Sequence, residues 1–273
     1  TERAIVFMSY MPPEWKQWVV KCLLTGTSPT TIATTLSDNG FVPDTIQKVL
    51  GSNLPAAFGF SPSRDFYCAL ANSPLTRNEN AVSLANNNDI QLYAFDHFLS
   101  DEECDGIVRL SKNKLVPSKL AGAASADNIR TSSTCELAFL DNPLVQLINQ
   151  RIVSALGLGV GENEVIQAQH YNVGEYYKPH YDFFPPGSPQ YKTHCSRRGQ
   201  RTWTCMIYLN EDCEGGYTRF TKLNIGVKPQ KGRALFWNNL KANGEPNLNT
   251  IHFAEPVTNG NKTVITKWFR TAN

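Results

Sequence analysis

The segment YYKPHYDFF, residues Tyr176–Phe184, contains one histidine and one aspartate that are separated by a single tyrosine. Histidine is scarce in the chain, with five in 273 residues, which draws attention to this pair. In a β-strand, residues i and i+2 project from the same face, so the side chains of His180 and Asp182 would reach the same point. An imidazole and a carboxylate that converge suggest a metal site. The pair alone is a weak signal, since this spacing also arises by chance in surface hairpins.

Composition and charge narrow the class of protein. The chain is 41% hydrophobic and 18% charged, which suits a folded domain, and its length fits one large domain or one domain plus a small one. The net charge of +2 argues against a broad electrostatic surface for nucleic acid or for an anionic membrane. No apolar run approaches the roughly 20 residues that cross a bilayer. We therefore expect neither a nucleic-acid partner nor a membrane partner.

The cysteines and the N-terminus bear on the compartment. Seven scattered cysteines without a CxxC pair favour neither a zinc cluster nor a disulfide framework. The N-terminal stretch TERAIVFMSYMPPEW has a short apolar patch and no clear cleavage site for a secretory signal. These features predict a cytoplasmic protein with reduced thiols.

The first part of the chain predicts a small helical module. Residues 1–60 contain three short helical patterns, and the second opens with Ser28 as N-cap and Pro29 at the first helical position. Two short helices with a glycine between them resemble a helix-turn-helix, but four basic and four acidic residues in this part argue against DNA binding. We expect a lid or substrate platform over residues 1–60, followed by a linker over residues 61–89.

The later part, residues 90–273, predicts a mainly β domain with supporting helices. Ser100 and Glu103 have the spacing of a capping box at the start of one helix, and Gly157 or Gly159 would end a second. Strand-like runs separated by turn residues then follow: VIQAQHY, TWTCMIYLN, GYTRF, RALFWN and TVITKWF. Several short strands with such turns predict a β-sandwich or barrel, which we interpret as a jelly roll with helices on one side.

A third metal ligand has to come from the remaining histidines. Two histidines and one carboxylate on one face of a metal, with the other positions open, are typical of non-haem iron(II) oxygenases. A ligand from a distant strand is what closure of a barrel would provide. The candidates are His97 on a loop, His170 in the strand before the motif, His194 in a basic loop expected to be exposed, and His252 at the start of a distant strand.

Lys262, ten residues after His252, is a candidate anion site. It begins a strand-like run whose alternate residues share its face. A buried ammonium group without a partner is costly, so an inward Lys262 would need an anionic ligand. The residues of that face are Lys262, Val264, Thr266, Trp268 and Arg270.

Four longer motifs resemble a known family. QHYNVGEYYKPHYDFF, QRTWTCMIYLNEDCEGGYTRF, VKPQKGRALFWN and IHFAEPVTNGNKTVITKW are similar, in order and spacing, to the prolyl 4-hydroxylase branch of the 2-oxoglutarate/iron(II) dioxygenases. FLSDEEC and RTSS match its upstream segments, so the resemblance covers about residues 90–270. It implies a double-stranded β-helix fold.

The resemblance also implies roles for individual residues. It makes His180, Asp182 and His252 the iron ligands and the catalytic centre. It makes Lys262 the partner of the far carboxylate of 2-oxoglutarate, with Tyr171 and Thr218 in the same pocket. The positions on the substrate side are Glu164, Tyr177, Arg201 and Trp268.

The implied activity is hydroxylation of a proline-like ring. It would use Fe(II), 2-oxoglutarate as co-substrate and O2, with ascorbate in support, and would release succinate and CO2. One departure matters: the branch often has Lys-Trp-Ile-His where this chain has KWFR, so Arg270 replaces a histidine. An inward arginine can hold a carboxylate with two hydrogen bonds, and that carboxylate is either the Glu164 side chain or a group of the substrate. The substrate is then either a prolyl residue in a peptide or a free cyclic amino acid such as proline or pipecolate, its six-membered homologue.

Other functions remain as alternatives. A metal-free binding protein with a jelly roll and a helix-turn-helix is disfavoured, because a degenerate copy would tend to lose one of His180, Asp182, His252 and Lys262. A hydroxylase of another amino acid stays open. Iron-dependent nucleic-acid demethylation is disfavoured by the near-neutral charge.

Overall fold

The computed structural model describes residues 10–39, 41–56, 58, 64–85, 90–118, 129–137, 141–158, 164–195 and 198–271. The chain divides into two compact units, residues 1–62 and 63–273. The first unit contains the helices α1 (Pro13–Leu24), α2 (Pro29–Asp38) and α3 (Pro43–Leu50).

The helical unit has a hydrophobic core of its own. Each of the helices α1, α2 and α3 begins with a proline, whose fixed φ suits the first helical position and whose missing N–H costs nothing there. Ser28 caps α2 as predicted, because its Oγ accepts a hydrogen bond from the Thr31 backbone N–H at 3.1 Å. Its predicted role as a lid or substrate platform stays a prediction. The buried side chains are Met11, Val19, Ile32, Ala33, Leu36, Phe41, Ile46, Leu50 and Leu54.

The second unit is mainly β with helices. Its helices are α4 (Arg64–Ala71), α5 (Asp101–Ser111), α6 (Pro143–Leu156) and α7 (Pro189–Cys195). Its strands are β1 (Ala81–Ser83), β2 (Leu92–Phe95), β3 (Val116–Pro117), β4 (Ser133–Glu136), β5 (Gln167–Tyr171), β6 (Tyr177–His180), β7 (Arg201–Tyr208), β8 (Cys213–Gly215), β9 (Thr218–Phe220), β10 (Ile225–Val227), β11 (Ala234–Asn238), β12 (His252–Ala254), β13 (Val257–Gly260) and β14 (Lys262–Arg270).

The strands form two main antiparallel sheets. Among the described residues, the larger sheet has the order β1-β2-β11-β7-β14-β5-β4-β3, and the smaller has the order β10-β9-β12-β6. Strands β13 and β8 form a separate pair. Neighbours in each sheet are far apart in the sequence, so the sheets bring distant motifs together. This places the segment after residue 176 beside the segment after residue 251.

Two hydrophobic clusters cover the two faces of the larger sheet. On one face, side chains of α5 and α6 pack against the sheet; they include Ile107, Ile148 and Ile152, against Trp203, Phe236 and Phe269. On the other face, the smaller sheet packs against the larger one; Phe220, Val227 and Ala254 meet Tyr208, Trp237 and Val264. The layers are therefore helices, large sheet and small sheet, which confirms the predicted jelly roll with helices on one side.

The predicted helix ends are confirmed, because they depend on local contacts. Ser100 Oγ accepts from the Glu103 backbone N–H at 3.3 Å, and Glu103 Oε2 accepts from the Ser100 backbone N–H at 2.9 Å. This is the predicted capping box of α5. Gly157 ends α6 with φ of 63°, a left-handed conformation that favours glycine.

The linker predicted over residues 61–89 is wrong for its described part, residues 64–85. This part contains α4 and β1, and β1 is an edge strand of the larger sheet. It is held by long-range hydrogen bonds that no local pattern reveals. Ser73 Oγ donates to the carbonyl of Leu156 at 2.5 Å, and Trp203 Nε1 donates to the carbonyl of Leu70 at 3.0 Å.

The cysteines are all free thiols. Within the described ranges, the helices are too short or too polar to span a bilayer.

Candidate active site

Two neighbouring strands of the smaller sheet bring three potential metal ligands together. Strands β6 and β12 pair so that His180 lies opposite His252. Asp182 follows two residues after His180, and its Oδ1 is 3.8 Å from His180 Nε2. One ligand atom from each of the three side chains lies within 4.8 Å of the others. Among His97, His170, His194 and His252, the fold therefore selects His252.

The prediction that His180 and Asp182 share one strand is wrong for Asp182. Strand β6 ends at His180, and the chain leaves the sheet there. Asp182 still converges with the histidines because Thr204 of the larger sheet donates a hydrogen bond to Asp182 Oδ2 at 2.8 Å.

Each histidine presents the same nitrogen to the site. Nδ1 of His180 is 2.8 Å from the carbonyl of Lys178, and Nδ1 of His252 is 2.8 Å from the carbonyl of Thr250. A carbonyl only accepts, so Nδ1 carries the proton and Nε2 keeps its lone pair. Burial lowers the pKa of His180 to about 3, so that imidazole is neutral at physiological pH. Neutral imidazoles with a free Nε2 are the form that binds a metal ion.

The Asp182 side chain provides the negative charge. Burial would raise the pKa of this carboxyl, but the positive charge of Arg201 and the hydrogen bond from Thr204 act against burial, and the pKa is lowered. Asp182 is therefore a carboxylate. Two imidazoles that present Nε2 and one carboxylate form a donor set that fits Fe(II) and leaves further coordination positions open.

A cavity opens at this triad, between the two sheets. Its wall contains every predicted residue of the metal and 2-oxoglutarate sites. The lining residues are Gln169, Tyr171, Tyr177, His180, Asp182, Met206, Thr218, Trp237, His252, Phe253, Ala254, Lys262, Val264, Thr266 and Trp268.

Lys262 is a buried cation in the wall of this cavity. Lys262 is 1% exposed, and its Nζ donates a hydrogen bond to the carbonyl of Gly216 at 2.9 Å. The ammonium also lies 4.5 Å from the ring centre of Tyr171. Among the described residues, no carboxylate forms an ion pair with it. Burial lowers the pKa of Lys262 to about 8, which shows that the charged form is poorly stabilised at this position. A carboxylate ligand would stabilise the charged form.

Tyr171 and Thr218 lie close to Lys262 in the same cavity wall. Tyr171 sits opposite Lys262 in the pairing of β5 with β14. Thr218 Oγ1 accepts a hydrogen bond from the hydroxyl of Tyr208 at 2.7 Å, which fixes its orientation. The structure thus gathers the three residues that the sequence assigns to 2-oxoglutarate.

Tyr177 and Trp268 form aromatic walls of the cavity. The Tyr177 ring stacks on His180 with 3.5 Å between ring centres, and the guanidinium of Arg130 lies 5.0 Å from the centre of the Tyr177 ring. The guanidinium of Arg201 lies over the ring of Trp268, 4.1 Å from the ring centre. The indole N–H of Trp268 is buried and has no hydrogen-bond acceptor in the described part of the chain. Both residues line the same cavity as the metal ligands.

Glu164, Arg201 and Arg270 form an ion cluster beside the cavity rather than in its wall. Arg201 Nε and Nη2 each donate to the Glu164 carboxylate at 2.6 Å, and Arg201 Nη1 donates to the carbonyl of Asp182 at 3.3 Å. Arg270 Nε forms an ion pair with Glu164 Oε1 at 2.7 Å. The cluster therefore connects three predicted substrate residues to the backbone of a metal ligand.

The prediction that Arg270 faces the cavity with Lys262 and Trp268 is wrong. The pairing of β14 with β7 becomes irregular between Trp268 and Arg270, so the strict alternation of the strand ends there. Arg270 Nη1 instead donates to the carbonyl of Gly199 at 2.8 Å.

His194 also differs from its predicted place. It lies on α7 and stacks against Phe184 with 5.0 Å between ring centres, so it is not in an exposed loop. His170 is bonded elsewhere, with its Nδ1 2.9 Å from the hydroxyl of Thr263.

Several residues of the site were not predicted from the sequence. Gln169, Met206 and Trp237 line the cavity. Met206 and Thr204 could have been inferred from alternation along TWTCMIYLN. Gln169 alternates with Tyr171 on β5 in the same way. Trp237 had no signal of this kind, because its position depends on how β11 pairs with β7.

Comparisons with known proteins agree with this site. Residues 166–270 match the family described as the 2OG-Fe(II) oxygenase superfamily. The chain is 35% identical over 182 residues to prolyl 4-hydroxylase subunit alpha-1 of Bos taurus, a match that covers 65% of this chain and 34% of that protein. It is 30% identical over 200 residues to the probable prolyl 4-hydroxylase 7 of Arabidopsis thaliana, covering 65% of this chain and 62% of that protein.

A solved structure shows the same fold. The viral collagen prolyl hydroxylase of Paramecium bursaria Chlorella virus 1, in its 2OG complex, aligns with a TM-score of 0.50 and 27% identity, over 66% of this chain and 95% of that one. The chain spans about a third of the length of the alpha-1 subunits that it matches.

The fold, the His180–Asp182–His252 triad and the family match define residues 166–270 as a domain of the 2OG-Fe(II) oxygenases, a family of dioxygenase enzymes. Within that superfamily, the relatives that this chain resembles are prolyl 4-hydroxylases. Enzymes of this family use Fe(II) and 2-oxoglutarate, and ascorbate is a typical support for the prolyl hydroxylases.

Proposed function

We propose that this protein hydroxylates a prolyl residue in a peptide, with Fe(II), 2-oxoglutarate and O2, and releases succinate and CO2. The carrying observation is the shared cavity: it holds a three-ligand metal face and, in the same wall, a buried lysine that lacks an anionic partner among the described residues. The similarity to prolyl 4-hydroxylases supports the choice of a proline ring.

Each part of the cavity has a separate task. Fe(II) and 2-oxoglutarate, when bound, would supply together with O2 the oxidising chemistry that converts an unactivated C–H bond into C–OH, with release of succinate and CO2. His180, Asp182 and His252 hold the metal on one face. Lys262 binds the far carboxylate of 2-oxoglutarate and so orients the co-substrate toward the metal.

The aromatic side chains confine the substrate. Tyr177 and Trp268 line the cavity beside the metal ligands, where a bound substrate packed against them would exclude water. Their flat faces suit a five-membered ring. A peptide carbonyl would also provide an acceptor for the buried indole N–H of Trp268.

The contacts that Arg270 makes within the protein favour a peptide substrate over a free amino acid. A free amino acid brings a carboxylate that needs a cationic partner, and Arg270 was the predicted one. This arginine is instead engaged by the Glu164 carboxylate and by the carbonyl of Gly199, and its ring contact is with Phe184 at 5.2 Å. A prolyl residue within a peptide has no free carboxylate and therefore needs no cationic partner.

A free cyclic amino acid remains the second candidate. Glu164 is one carboxylate between the two guanidinium groups of Arg201 and Arg270, so the cluster carries an excess of positive charge. That excess would favour an anionic substrate nearby. The same chemistry would then act on free proline or pipecolate.

Direct assay separates these substrates. The protein is incubated with Fe(II), ascorbate and 2-oxoglutarate together with proline-rich peptides, blocked prolyl peptides, free proline or pipecolate. We expect a product heavier by 16 Da, with matching succinate, from the peptides. Turnover of the free amino acids alone would replace the peptide proposal by the second candidate. Lack of a hydroxylated product from any of them would contradict a proline ring as substrate.

Arg270→His should lower turnover of a blocked prolyl peptide, and any turnover of free proline, by the same factor. The reason is that Arg270 supports Glu164 and Arg201 rather than touching the substrate. The measurement is KM and kcat for both substrates, with thermal unfolding to register any loss of stability. A charge-assisted contact is worth about 1.5–3 kcal/mol, or roughly 10- to 150-fold. A rise of KM of that size for free proline alone would show that Arg270 reads a substrate carboxylate.

A further inference from the structure

Two fully buried polar side chains stand behind the metal-binding carboxylate. Thr204 lies on β7, and Asn239 directly follows β11; both are 0% exposed, and neither lines the cavity. Asn239 Nδ2 donates to Thr204 Oγ1 at 2.8 Å, and Thr204 Oγ1 donates to Asp182 Oδ2 at 2.8 Å. The three side chains form a hydrogen-bonded relay that ends on the ligand.

The relay has one possible polarity. An amide NH2 group only donates and an ionised carboxylate only accepts, so the hydroxyl between them must accept from Asn239 and donate to Asp182. Asn239 itself is held at both backbone groups. Its N–H donates to the carbonyl of Thr202 at 2.7 Å, and its carbonyl accepts from Asn247 at 2.8 Å.

This polarity distinguishes the two oxygens of Asp182. Oδ2 is occupied by the hydroxyl of Thr204, whereas Oδ1 is the oxygen that lies 3.8 Å from His180 Nε2. A carboxylate that is held in this way offers a single oxygen to a metal. It also keeps its orientation before the metal arrives, although no strand holds it.

We propose that Thr204, oriented by Asn239, is a positioning residue for the metal site. It fixes Asp182 so that Oδ1 alone joins the two histidines, which keeps the remaining coordination positions open. This inference rests on the proposed metal site. It adds that the affinity for the metal depends on a hydroxyl that touches neither metal nor substrate.

Thr202 provides a matched control. It lies two residues from Thr204 on the same strand and the same face, and it is also 0% exposed. Its hydroxyl is buried without a hydrogen-bond partner in the described part of the chain. Thr202→Val and Thr204→Val thus make the same chemical change in the same strand, but only the second breaks the relay.

The test is titration of the metal-free protein with Fe(II) under anaerobic conditions, followed by calorimetry. Loss of a group that orients a metal ligand typically weakens metal binding by about 10- to 100-fold. We expect a loss of this size for Thr204→Val and near wild-type affinity for Thr204→Ser and Thr202→Val. Asn239→Ala should cause a smaller loss, because the hydroxyl can still donate to Asp182. Thermal unfolding of each metal-free variant gives the stability separately.

The outcomes are distinguishable. Equal affinity in the wild type and Thr204→Val would overturn the relay and leave the proposed function intact. Equal losses in Thr204→Val and Thr202→Val would attribute the effect to packing and would also overturn it. Failure of the wild type itself to bind Fe(II) would contradict the metal site, and with it the proposed function.

Discussion

His252→Ala should abolish turnover and weaken Fe(II) binding by more than about 100-fold, since loss of an outer-shell partner alone costs about 10- to 100-fold. The ligand comes from β12 and faces His180 across the paired strands, and its Nδ1 is committed to the carbonyl of Thr250. Substitution therefore removes the nitrogen that the strand directs at the metal. His180→Ala and Asp182→Ala should act in the same way. Calorimetric titration with Fe(II) and a hydroxylation assay measure the two effects.

His170→Ala is the control for this series. His170 is on β5, and its Nδ1 contacts the hydroxyl of Thr263 rather than the triad. It should retain the Fe(II) affinity of the wild type. Wild-type affinity in all three triad variants would contradict the ligand assignment. Circular dichroism of the variants should remain that of the wild type, because the triad lines a cavity and the hydrophobic clusters persist.

Local features of the fold were predictable because their physics is local. The capping box of Ser100 and Glu103 involves residues three apart, and the proline that follows Ser28 fixes its own φ. The spacing of His180 and Asp182 was also informative, although the strand ends between them. In each case, neighbours in the sequence determine the structure.

Features that depend on long-range pairing were not predictable in the same way. The linker prediction over 61–89 failed in part because Ser73 is bonded to Leu156, a residue 83 positions later. Alternation along the strand predicted that the Arg270 side chain faces the cavity. An irregularity in the pairing with β7 places this side chain against Glu164 instead. Such contacts are set by the register of the sheets rather than by composition.

The site itself shows both cases. The family motifs point to Lys262 and the triad, since their spacing along the chain is preserved. The relay from Asn239 to Thr204 joins two strands that are paired only after folding, with Trp237 opposite Thr204. A threonine in an apolar strand carries no sequence signal for that role.

Lys262→Ala should raise the KM for 2-oxoglutarate by roughly 30- to 5,000-fold. The expected range follows from the cost of removing one partner of a buried charge pair, about 2–5 kcal/mol. Lys262 is 1% exposed, its Nζ donates to the carbonyl of Gly216 and lies over the ring of Tyr171, and among the described residues it has no ion pair. The co-substrate carboxylate would lose its cation. KM for 2-oxoglutarate, measured by succinate release, and calorimetric affinity report the loss.

Lys267→Ala is the matched control for Lys262→Ala. Lys267 lies on the same strand and is also buried, and burial lowers its pKa to about 8 as well. Its Nζ donates to the carbonyl of Glu164 at 3.0 Å, away from the cavity wall. Its KM for 2-oxoglutarate should stay near that of the wild type. Equal KM values in Lys262→Ala and wild type would show that another group holds the carboxylate.

The pH dependence of 2-oxoglutarate binding provides an independent check on Lys262. Burial lowers the pKa of this lysine to about 8 in the protein without ligand, and only the charged form pairs with a carboxylate. Below pH 8 the ammonium is already protonated, so affinity should be constant there with respect to this group. Above pH 8 binding must take up a proton, so affinity should fall by about tenfold for each further pH unit. Because Lys262→Ala removes the group that titrates, this fall should be absent from that variant, and its persistence would assign the titration to another residue.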